Sequence, residues 1–254
     1  GTARLVNAVL RRAPKTLDEV QLLPEEGDSL EFLSTRYSMP RWLVKAWLSE
    51  HEAEKARDLC MACNGEARPS LRVNTLKTDA ATLTDQLAKS NVLVASQTPV
   101  PEELTLAEGG PPLRSKWFLK GHFTIQDPAS MLPAHLMELQ PGETVLDMCA
   151  APGGKTTHLA QLAGGKARVY AMDLNYWRLD RVRENVERLE LPGVTLIQGD
   201  GAAPPFAPGF DRVLVDAPCS GIGTLRRHPD LKWNMNPESL ARLQAIQRDL
   251  LRSA

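Results

Sequence analysis

In the second half of the chain, four short apolar runs are interleaved with three longer amphipathic segments. The runs read ETVLDMC, ARVYAMD, VTLIQGD and DRVLVDAP. Strands this apolar are typical of parallel sheets whose two faces are both covered, and the amphipathic segments have the spacing of the covering helices. The alternation therefore predicts an α/β fold with an open parallel sheet over residues 131–254.

A different pattern precedes this sheet. Residues 67–130 contain a strand-like run, SLRVNTL, then a helix that starts from Asp79, and then three more strand candidates, VLVAS, LTLAE and HFTIQD. This order predicts a small α+β subdomain with the shape of an RNA-recognition module, although the aromatic consensus of such modules is missing.

Helices are predicted before that subdomain. Over residues 24–66 the spacing indicates a helical subdomain of two or three helices, one of them capped by Ser38 with Pro40 in its first turn. Residues 1–23 look like the last helix of a preceding domain and a linker. The buried face of the capped helix is predicted to carry Trp42, Leu43, Ala46 and Trp47.

The bulk composition is that of an ordinary globular chain. With 43% hydrophobic residues and no apolar stretch near the roughly 20 residues of a membrane span, we expect a cytosolic protein without a signal peptide. The net charge of −1 leaves only local patches for contact with nucleic acid. Residues 1–17 and the basic segment 109–126, with Arg114, Lys116 and Lys120, carry no acid. Each fits either a phosphate-facing surface or a solvated face.

The four cysteines do not form a disulfide framework in a chain of 254 residues. Cys60 and Cys63 form a C-x-x-C within a helical stretch, and no second pair completes a zinc site. We therefore expect two helix cysteines and no bound metal. Cys149 and Cys219 lie instead within motifs that follow predicted strands.

An aspartate stands at or just after the end of each predicted strand of the parallel sheet. These residues are Asp147, Asp173, Asp200 and Asp216. In open parallel sheets, ligands bind beyond the carboxyl ends of the strands. The sequence therefore predicts a ligand-binding edge that gathers four carboxylates.

The turn after the first of these strands, DMCAAPGGKT, allows two interpretations. It nearly matches a phosphate-binding P-loop, but Cys149 replaces the first glycine. Four carboxylates would also repel a triphosphate unless most of them held metal. They suit a nucleoside without phosphate, because Asp173 can accept hydrogen bonds from ribose hydroxyls and Asp200 from an adenine amino group. S-adenosylmethionine (SAM), a cationic sulfonium nucleoside, meets these requirements.

The turn after the fourth strand, DAPCSG, carries a cysteine directly after a proline. A thiol beside a methyl donor indicates carbon as the methyl acceptor. C5 of a pyrimidine is a poor nucleophile until a thiolate adds to C6, and a carboxylic acid near N3 stabilises the charge that develops. The alternative is that Cys219 is a small buried residue of a tight loop.

Six motifs between residues 70 and 233 occur in an order that resembles one enzyme family. SLRVNTLKTD, FTIQDPAS, VLDMCAAPGGKT, AMDLN, LIQGD and VDAPCSGIGTLRRHPDLKW look like the motifs of the Sun-type (RsmB/Sun/Fmu) RNA cytosine-5 methyltransferases. The resemblance implies a Rossmann-like sheet that uses SAM to methylate cytosine in ribosomal RNA of the small subunit. RLVNAVLRR resembles the closing helix of the NusB-like RNA-binding domain in the bacterial enzyme.

The resemblance also implies roles for residues. Asp173 would hold the ribose, Asp200 the adenine side, and Asp216 the region between the methyl donor and the base. The catalytic residues would be Asp216 and Cys219, with Cys219 assisting product release. A second cysteine, in a Thr-Cys-Ser motif on the next strand, would make the attack. Seven consecutive residues would wrap the methionine part of SAM: Cys149, Ala150, Ala151, Pro152, Gly153, Gly154 and Lys155.

The sequence ends at Ala254, before such a strand. We therefore expect a fragment that lacks the last strands of the sheet and most of a NusB-like domain, and whose apolar sheet edge is open to a partner or to aggregation. The full-length protein is expected to be a monomer that contacts ribosomal RNA and no membrane. Other classes stay open: a noncatalytic RNA-binding module that keeps the fold, a P-loop NTPase, and a DNA methyltransferase.

Overall fold

The chain divides into two compact units, residues 1–65 with 221–237 and residues 66–220 with 238–254. This computed structural model describes residues 5–7, 29–96, 100–207 and 209–254. Apart from the helical residues 5–7, the N-terminal helix, linker and basic residues predicted before residue 24 lie outside these ranges. No helix within the described ranges is long and apolar enough to span a lipid bilayer.

Helices and strands occupy the following ranges. The helices are α1 (Leu30–Arg36), α2 (Arg41–Glu50), α3 (Ala53–Asn64), α4 (Ala80–Ala88), α5 (Lys116–Leu119), α6 (Pro128–Leu136), α7 (Gly154–Leu162), α8 (Tyr176–Leu189), α9 (Leu231–Asn234) and α10 (Pro237–Ser253). The strands are β1 (Ser70–Val73), β2 (Val94–Ser96), β3 (Glu103–Leu106), β4 (Phe123–Ile125), β5 (Thr144–Asp147), β6 (Arg168–Asp173), β7 (Val194–Gln198) and β8 (Arg212–Leu214).

The first unit is helical and has a small core. Ser29 caps α1, since its hydroxyl oxygen accepts a hydrogen bond from the backbone N–H of Phe32 (3.1 Å). The three helices α1 to α3 confirm the prediction of two or three helices in this stretch. The buried core residues are Leu33, Met39, Val44, Ala56 and Cys60.

The start and the buried face of α2 differ from the prediction. Ser38 does not cap this helix: it has a left-handed φ of 51°, and Pro40 occupies the N-cap position without a side-chain hydrogen bond. Ala46, predicted to be buried, is exposed, because the face of α2 that packs on the core runs through Val44, Trp47 and Leu48 instead. The other three predicted positions of this face are buried or half-buried.

Cys60 and Cys63 lie on the helix α3, as the sequence predicts, and Cys60 is buried whereas Cys63 is half-buried. Burial and the neighbouring Cys63 thiol raise the pKa of Cys60 to about 11. A thiol that stays protonated behaves as a small apolar core residue and not as a reactive group.

In the second unit, β1 to β4 form an antiparallel sheet in the order β2-β3-β1-β4. Asp79 starts α4, because its Oδ1 accepts a hydrogen bond from the backbone N–H of Thr82 (2.8 Å). The strand–helix–strand order predicted for this antiparallel subdomain is confirmed. One face of its sheet packs on α4 through Leu71, Val73, Leu83, Leu87, Leu104, Leu106 and Phe123.

The other four strands are all parallel, in the order β7-β6-β5-β8. α6, α7 and α8 pack on one face, through residues such as Leu159 and Val182, and α10 packs on the opposite face through Leu250. Because parallel strands point the same way, the carboxyl ends of β5 to β8 lie at one edge. The predicted α/β fold with a parallel sheet is therefore confirmed.

The second face of the antiparallel sheet is buried against helices of the parallel sheet. Arg72 and Thr124 are paired across β1 and β4, so both lie on this face. Arg72 Nη2 donates to Thr157 Oγ1 of α7 (2.9 Å), and Arg188 Nη2 of α8 donates to Thr124 Oγ1 (3.2 Å). RNA-recognition modules stack bases on this kind of sheet face. In this chain its own helices cover the face, so the likeness in shape does not provide an open RNA-binding surface.

A close backbone approach holds the antiparallel subdomain against the end of α8. Asn74 Nδ2 donates to the carbonyl oxygens of Gly121 (3.0 Å) and Leu189 (2.9 Å). Gly121 has a φ of 70°, and a Cβ at this position would lie 1.9 Å from the carbonyl oxygen of Arg188. Glycine fits because it has no Cβ and adopts positive φ without strain.

The glycine loop, residues 148–153 between β5 and α7, covers the end of β5. Asp147 lies beneath it, with a buried side chain whose Oδ2 accepts a hydrogen bond from Thr156 Oγ1 (2.7 Å). Burial raises the pKa of Asp147 to about 6, and the nearby Asp216 adds to the rise although the Thr156 hydrogen bond opposes it. Gly153 ends the loop with a φ of 101°.

Replacement of Gly121 by alanine tests the close approach to α8. The added Cβ meets backbone atoms, which cannot move aside cheaply, so we expect Gly121→Ala to lower the free energy of unfolding by about 3 kcal/mol or more. Gly109→Ala is the matched control, since Gly109 also has a positive φ (75°) but no heavy atom within 4 Å of the Cβ position. Its expected loss is about 1 kcal/mol. Urea unfolding measures both variants, and equal losses would contradict the clash.

The buried Asp147 predicts a pH dependence of stability. A carboxyl group whose pKa is higher in the folded chain (about 6) than in the unfolded chain (about 3.9) disfavours folding where it is ionised. This cost is complete above about pH 6 and disappears as the pH falls toward 4. Asp147→Asn removes the ionisation. In urea unfolding without ligand, the variant should therefore gain up to about 2–3 kcal/mol over the parent chain between pH 4 and pH 7. Parallel pH curves would contradict this prediction.

Candidate cofactor and active site

A cavity of about 360 Å³ opens at the carboxyl ends of the parallel strands. Its volume lies within the range of roughly 300–1,000 Å³ that is typical of small-molecule sites. Asp173, Asp200 and Asp216 line it, and so do Cys149 and Cys219. The fold therefore brings three strand-end acids and both motif cysteines to one place.

Asp173, at the end of β6, is held by three neighbours. Its Oδ2 accepts a hydrogen bond from the N–H of Ala151 (3.3 Å), and its Oδ1 accepts one from the N–H of Asn175 (3.1 Å). Arg178 Nη1 lies 3.3 Å from Oδ2, and Arg178 Nη2 donates to the carbonyl oxygen of Ala151 (3.0 Å). The carboxylate is thus fixed at the cavity wall, and Arg178 connects the first turn of α8 to the glycine loop.

Asp200 and Asp216 follow β7 and β8 and are exposed at the cavity. Asp200 Oδ1 accepts a hydrogen bond from the N–H of Ala202 (2.9 Å), which orders the turn that carries it. Asp216 Oδ2 accepts a hydrogen bond from Lys155 Nζ (2.5 Å). This ion pair joins the turn after β8 to the first turn of α7.

Asp147 is the exception among the four strand-end aspartates. It lies at the same sheet edge, but its buried carboxyl group does not line the cavity, whereas Asp173, which is also buried, does. All four aspartates therefore lie at one edge of the sheet, but only three of them line the cavity. The physical reason is that the glycine loop folds back over the end of β5 and covers this residue.

The seven residues predicted to wrap a cofactor divide into two groups. Cys149 and Ala151 line the cavity. The other five shape the turn beside it and do not line the cavity. They are Ala150, which is buried, Pro152, which is exposed, and Gly153, Gly154 and Lys155, at which α7 begins.

Cys149 and Cys219 share the cavity but differ in environment. Cys149 is half-buried, and burial together with the surrounding aspartates raises its pKa to about 11. Cys219 is exposed, on a turn where Gln247 Nε2 of α10 donates to the carbonyl oxygen of Pro218 (2.8 Å). Because the thiolate is the reactive form, these surroundings suppress the reactivity of Cys149 and leave Cys219 as the accessible thiol.

Lys116 and Lys120 of the basic segment lie away from this cavity. In the last turn of α8, the Arg188 guanidinium lies 4.0 Å from the centre of the Phe118 ring of α5. In the first turn of α8, Arg178 lines the cavity. The 14 residues of α8 give a length of about 21 Å at roughly 1.5 Å per residue. The exposed Lys116 and Lys120 therefore stand near the end of α8 opposite the cavity.

One group of side chains has the ligand types found in metal sites. Nε2 of His135 and Nε2 of His158 lie 2.7 Å and 2.5 Å from Oε1 of Glu102. A metal on Nε2 of His158 would move the ring proton to Nδ1, which is buried and has no hydrogen-bond partner. Despite burial, hydrogen bonds from both rings lower the pKa of Glu102 to about 2. Two ring N–H donors on one carboxylate account for this group without a metal.

The cavity is also lined by residues that lie outside the six sequence motifs and were not predicted, among them Arg178, Ile246 and Leu250. Arg178 stands in the first turn of the helix after Asp173, and a basic residue shortly after a strand-end acid is the signal that could have found it. Ile246 and Leu250 come from α10, whose apolar spacing predicts a buried helix face. Nothing in that spacing indicates which part of the sheet the face covers.

Two family models match separate parts of the chain. Residues 134–254 match the model described as 16S rRNA methyltransferase RsmB/F. Residues 39–111 match the ferredoxin-like domain of RsmF/B-like methyltransferases. The first match contains the parallel sheet and the cavity, and the second contains β1 to β3 and α4.

Known proteins are similar to the chain over nearly its whole length. It is 35% identical over 258 residues to a probable ribosomal RNA small subunit methyltransferase B of Synechocystis sp., and 37% identical over 258 residues to that of Bacillus subtilis. These alignments cover 100% and 99% of the chain but 57% and 56% of the relatives, so the chain spans somewhat more than half their length. The crystal structure of PH0851 has a TM-score of 0.83 at 32% identity and covers 92% of this chain and 54% of that one. The chain therefore belongs to the RsmB/F family of ribosomal RNA methyltransferases.

Proposed function

We propose that this chain is the SAM-binding part of an enzyme that methylates C5 of a cytosine in small-subunit ribosomal RNA. The observation that carries the proposal is the cavity at the sheet edge, where Asp173, Asp200 and Asp216 meet Cys219. SAM is the methyl donor of this methyltransferase family, and the relatives are named for small-subunit ribosomal RNA.

The charges of the cavity fit SAM better than a nucleoside triphosphate. Three carboxylates at the cavity favour a ligand that carries a sulfonium and an ammonium group. The two cations beside them, Lys155 and Arg178, are ion-paired with Asp216 and Asp173. A triphosphate would have to break these pairs to find a counter-charge. The P-loop alternative is therefore disfavoured.

Each acid has a separate part in holding the cofactor. Asp173 accepts hydrogen bonds from the ribose hydroxyls, and Asp200 accepts from the adenine amino group. Asp216 borders the space between the methyl donor and the target base. The glycine loop, of which Cys149 and Ala151 line the cavity, would border the methionine part. The cofactor supplies an electrophilic methyl group, and these residues orient it.

Methylation at C5 begins with a thiolate. Its sulfur bonds to C6, and the electron pair of the C5–C6 double bond is delocalised toward N3, where an acidic group stabilises it. C5, so activated, would accept the methyl group that SAM supplies, and the cofactor would leave as a neutral thioether. Removal of the C5 proton restores the C5–C6 double bond and expels the thiolate from C6.

Asp216 and Cys219 are the residues of this chain that carry out part of that chemistry. Lys155 donates to Asp216 and holds its carboxyl group at the cavity, where it would face the base. Cys219 assists release of the methylated base. The attacking cysteine would be a second one, which we place in the part of the relatives' length that this chain does not span. Cys149 is less suited to either role, because burial and the neighbouring aspartates raise its pKa to about 11.

Replacement of Asp200 tests the assignment of the acids. The loss of one charged acceptor in Asp200→Asn should weaken SAM binding by the full-length protein by about 10-fold. Asp211→Asn is the matched control, since Asp211 precedes β8 at the opposite sheet edge and its Oδ2 accepts from the N–H of Thr144 (2.8 Å). Calorimetry with SAM measures both. If the two variants bind alike, Asp200 does not contact the cofactor.

Calorimetry with SAM, ATP and ribosomal RNA, together with methylation assays, separates the proposal from its alternatives. A noncatalytic RNA-binding module would bind ribosomal RNA and not SAM, and a P-loop NTPase would bind ATP. A DNA methyltransferase would methylate deoxycytidine substrates. Any of these results in place of SAM-dependent methylation of ribosomal RNA would replace the proposed function.

Replacement of Cys219 tests its role in release. In the full-length protein, Cys219→Ala should abolish turnover and accumulate a covalent protein–RNA adduct, because attack still occurs while expulsion of the thiolate fails. Cys63→Ala on α3 is the control and should turn over normally. Denaturing gels with labelled RNA measure the adduct. If the isolated 254-residue chain methylates cytosine, Cys219 is itself the nucleophile and its assignment to release is wrong.

A further inference from the structure

One guanidinium from the antiparallel subdomain holds the start of α7. Arg72 Nη1 donates to the carbonyl oxygen of Gly154 (2.6 Å) and to Oε1 of Gln126, and Nη2 donates to Thr157 Oγ1 (2.9 Å). Thr157 Oγ1 in turn donates to the carbonyl oxygen of Gly153 (2.7 Å). Arg72 therefore fixes, directly and through Thr157, the two glycines that connect the glycine loop to α7.

The position of Arg72 is energetically unusual. Its side chain is fully buried, at 0% relative exposure. Burial lowers its pKa to about 9, although the neighbouring Glu102 opposes this shift. An apolar side chain of similar volume would avoid the cost of a buried charge. Such a side chain would lack the planar set of donors that binds two carbonyl or hydroxyl groups in fixed directions.

The turn that Arg72 holds also carries side chains of the proposed site. Lys155 follows Gly154 directly, and its Nζ reaches Asp216 Oδ2 (2.5 Å). Cys149 and Ala151 of the glycine loop line the cavity. A shift of the Gly154 carbonyl would therefore move the cavity wall and the Lys155–Asp216 pair together. At an active site, a misplacement of about 1 Å can cost on the order of 100-fold in rate.

We propose that Arg72 is a positioning residue, which sets the affinity for SAM by fixing the start of α7 from the antiparallel subdomain. This inference rests on the proposed SAM site. It gives the antiparallel subdomain a role other than RNA binding. The face of its sheet that carries Arg72 is covered by α7 and α8, and this face supports the glycine loop.

Arg72→Lys is the first test. Lysine keeps the charge, but its single nitrogen cannot bind Gly154, Gln126 and Thr157 in the geometry of a guanidinium. We expect SAM binding by the full-length protein to weaken about 10-fold. Thr157→Val keeps the shape and removes the hydroxyl group, and should weaken SAM binding about 3-fold. It provides a second measurement if Arg72→Lys does not fold.

Gly121→Ala is the control for a general loss of stability. It disturbs the contact between the same subdomain and α8, at the end of that helix away from the glycine loop. If Arg72 is only structural, the loss of SAM affinity follows the loss of stability. Gly121→Ala and Arg72→Lys then weaken SAM binding equally when they lower the melting temperature equally. If Arg72 positions the loop, Gly121→Ala binds SAM as the parent protein does, and Arg72→Lys does not.

Calorimetry with SAM on the full-length protein and its variants decides the matter. The double variant, which carries Arg72→Lys and Thr157→Val, should lose no more affinity for SAM than Arg72→Lys alone, because both substitutions act through one contact. If the parent protein binds SAM and both single variants bind it as tightly as the parent does, Arg72 has no positioning role, and the proposed function stands. If the parent does not bind SAM, the proposed function fails, and the positioning role fails with it.

Discussion

Parallel pairing of β5 with β6 on one side and β8 on the other is the constraint on which the site depends. It sends the carboxyl ends of all the strands to one edge, so that Asp173, Asp200 and Asp216 meet there although they are distant along the chain. An antiparallel neighbour would carry its strand end to the opposite edge. The cavity, its negative charge and its suitability for a cationic nucleoside all follow from this single arrangement.

Burial gives chemically identical side chains different tasks. Asp147 and Asp216 stand at the ends of neighbouring strands, but the glycine loop covers only the first, which becomes a hydrogen-bond acceptor beneath the loop. Cys149 and Cys219 face the same cavity, but only Cys149 is half-buried among carboxylates. Since desolvation and neighbouring negative charge both oppose ionisation of a thiol, the surroundings select which group can react.

The antiparallel subdomain meets the helices of the parallel sheet through directional polar contacts. Arg72, Asn74 and Arg188 each donate to groups across this boundary, and at Gly121 the backbones approach too closely for any other residue. Apolar surfaces can slide over one another, whereas buried donors must meet their acceptors at defined distances and angles. Among these contacts, that of Arg72 reaches the start of α7 beside the glycine loop, and together the contacts close the sheet face that an RNA-recognition module would use.

The sequence by itself determined the elements and the family. Apolar runs and amphipathic spacing predicted the eight strands and the helices α4, α7, α8 and α10, but not α6. The position of each strand-end aspartate followed from the strands, and the ordered motifs identified the methyltransferase family. These features are local, because periodicity along one segment records which of its faces is buried. Tertiary structure alone decided that Asp147 is covered, that Cys219 is exposed, that α10 closes the cavity, and that Arg72 holds the start of α7. Each of these depends on contacts between segments far apart in the chain, such as the bond from Arg72 to Thr157, and no pattern within either segment specifies its partner.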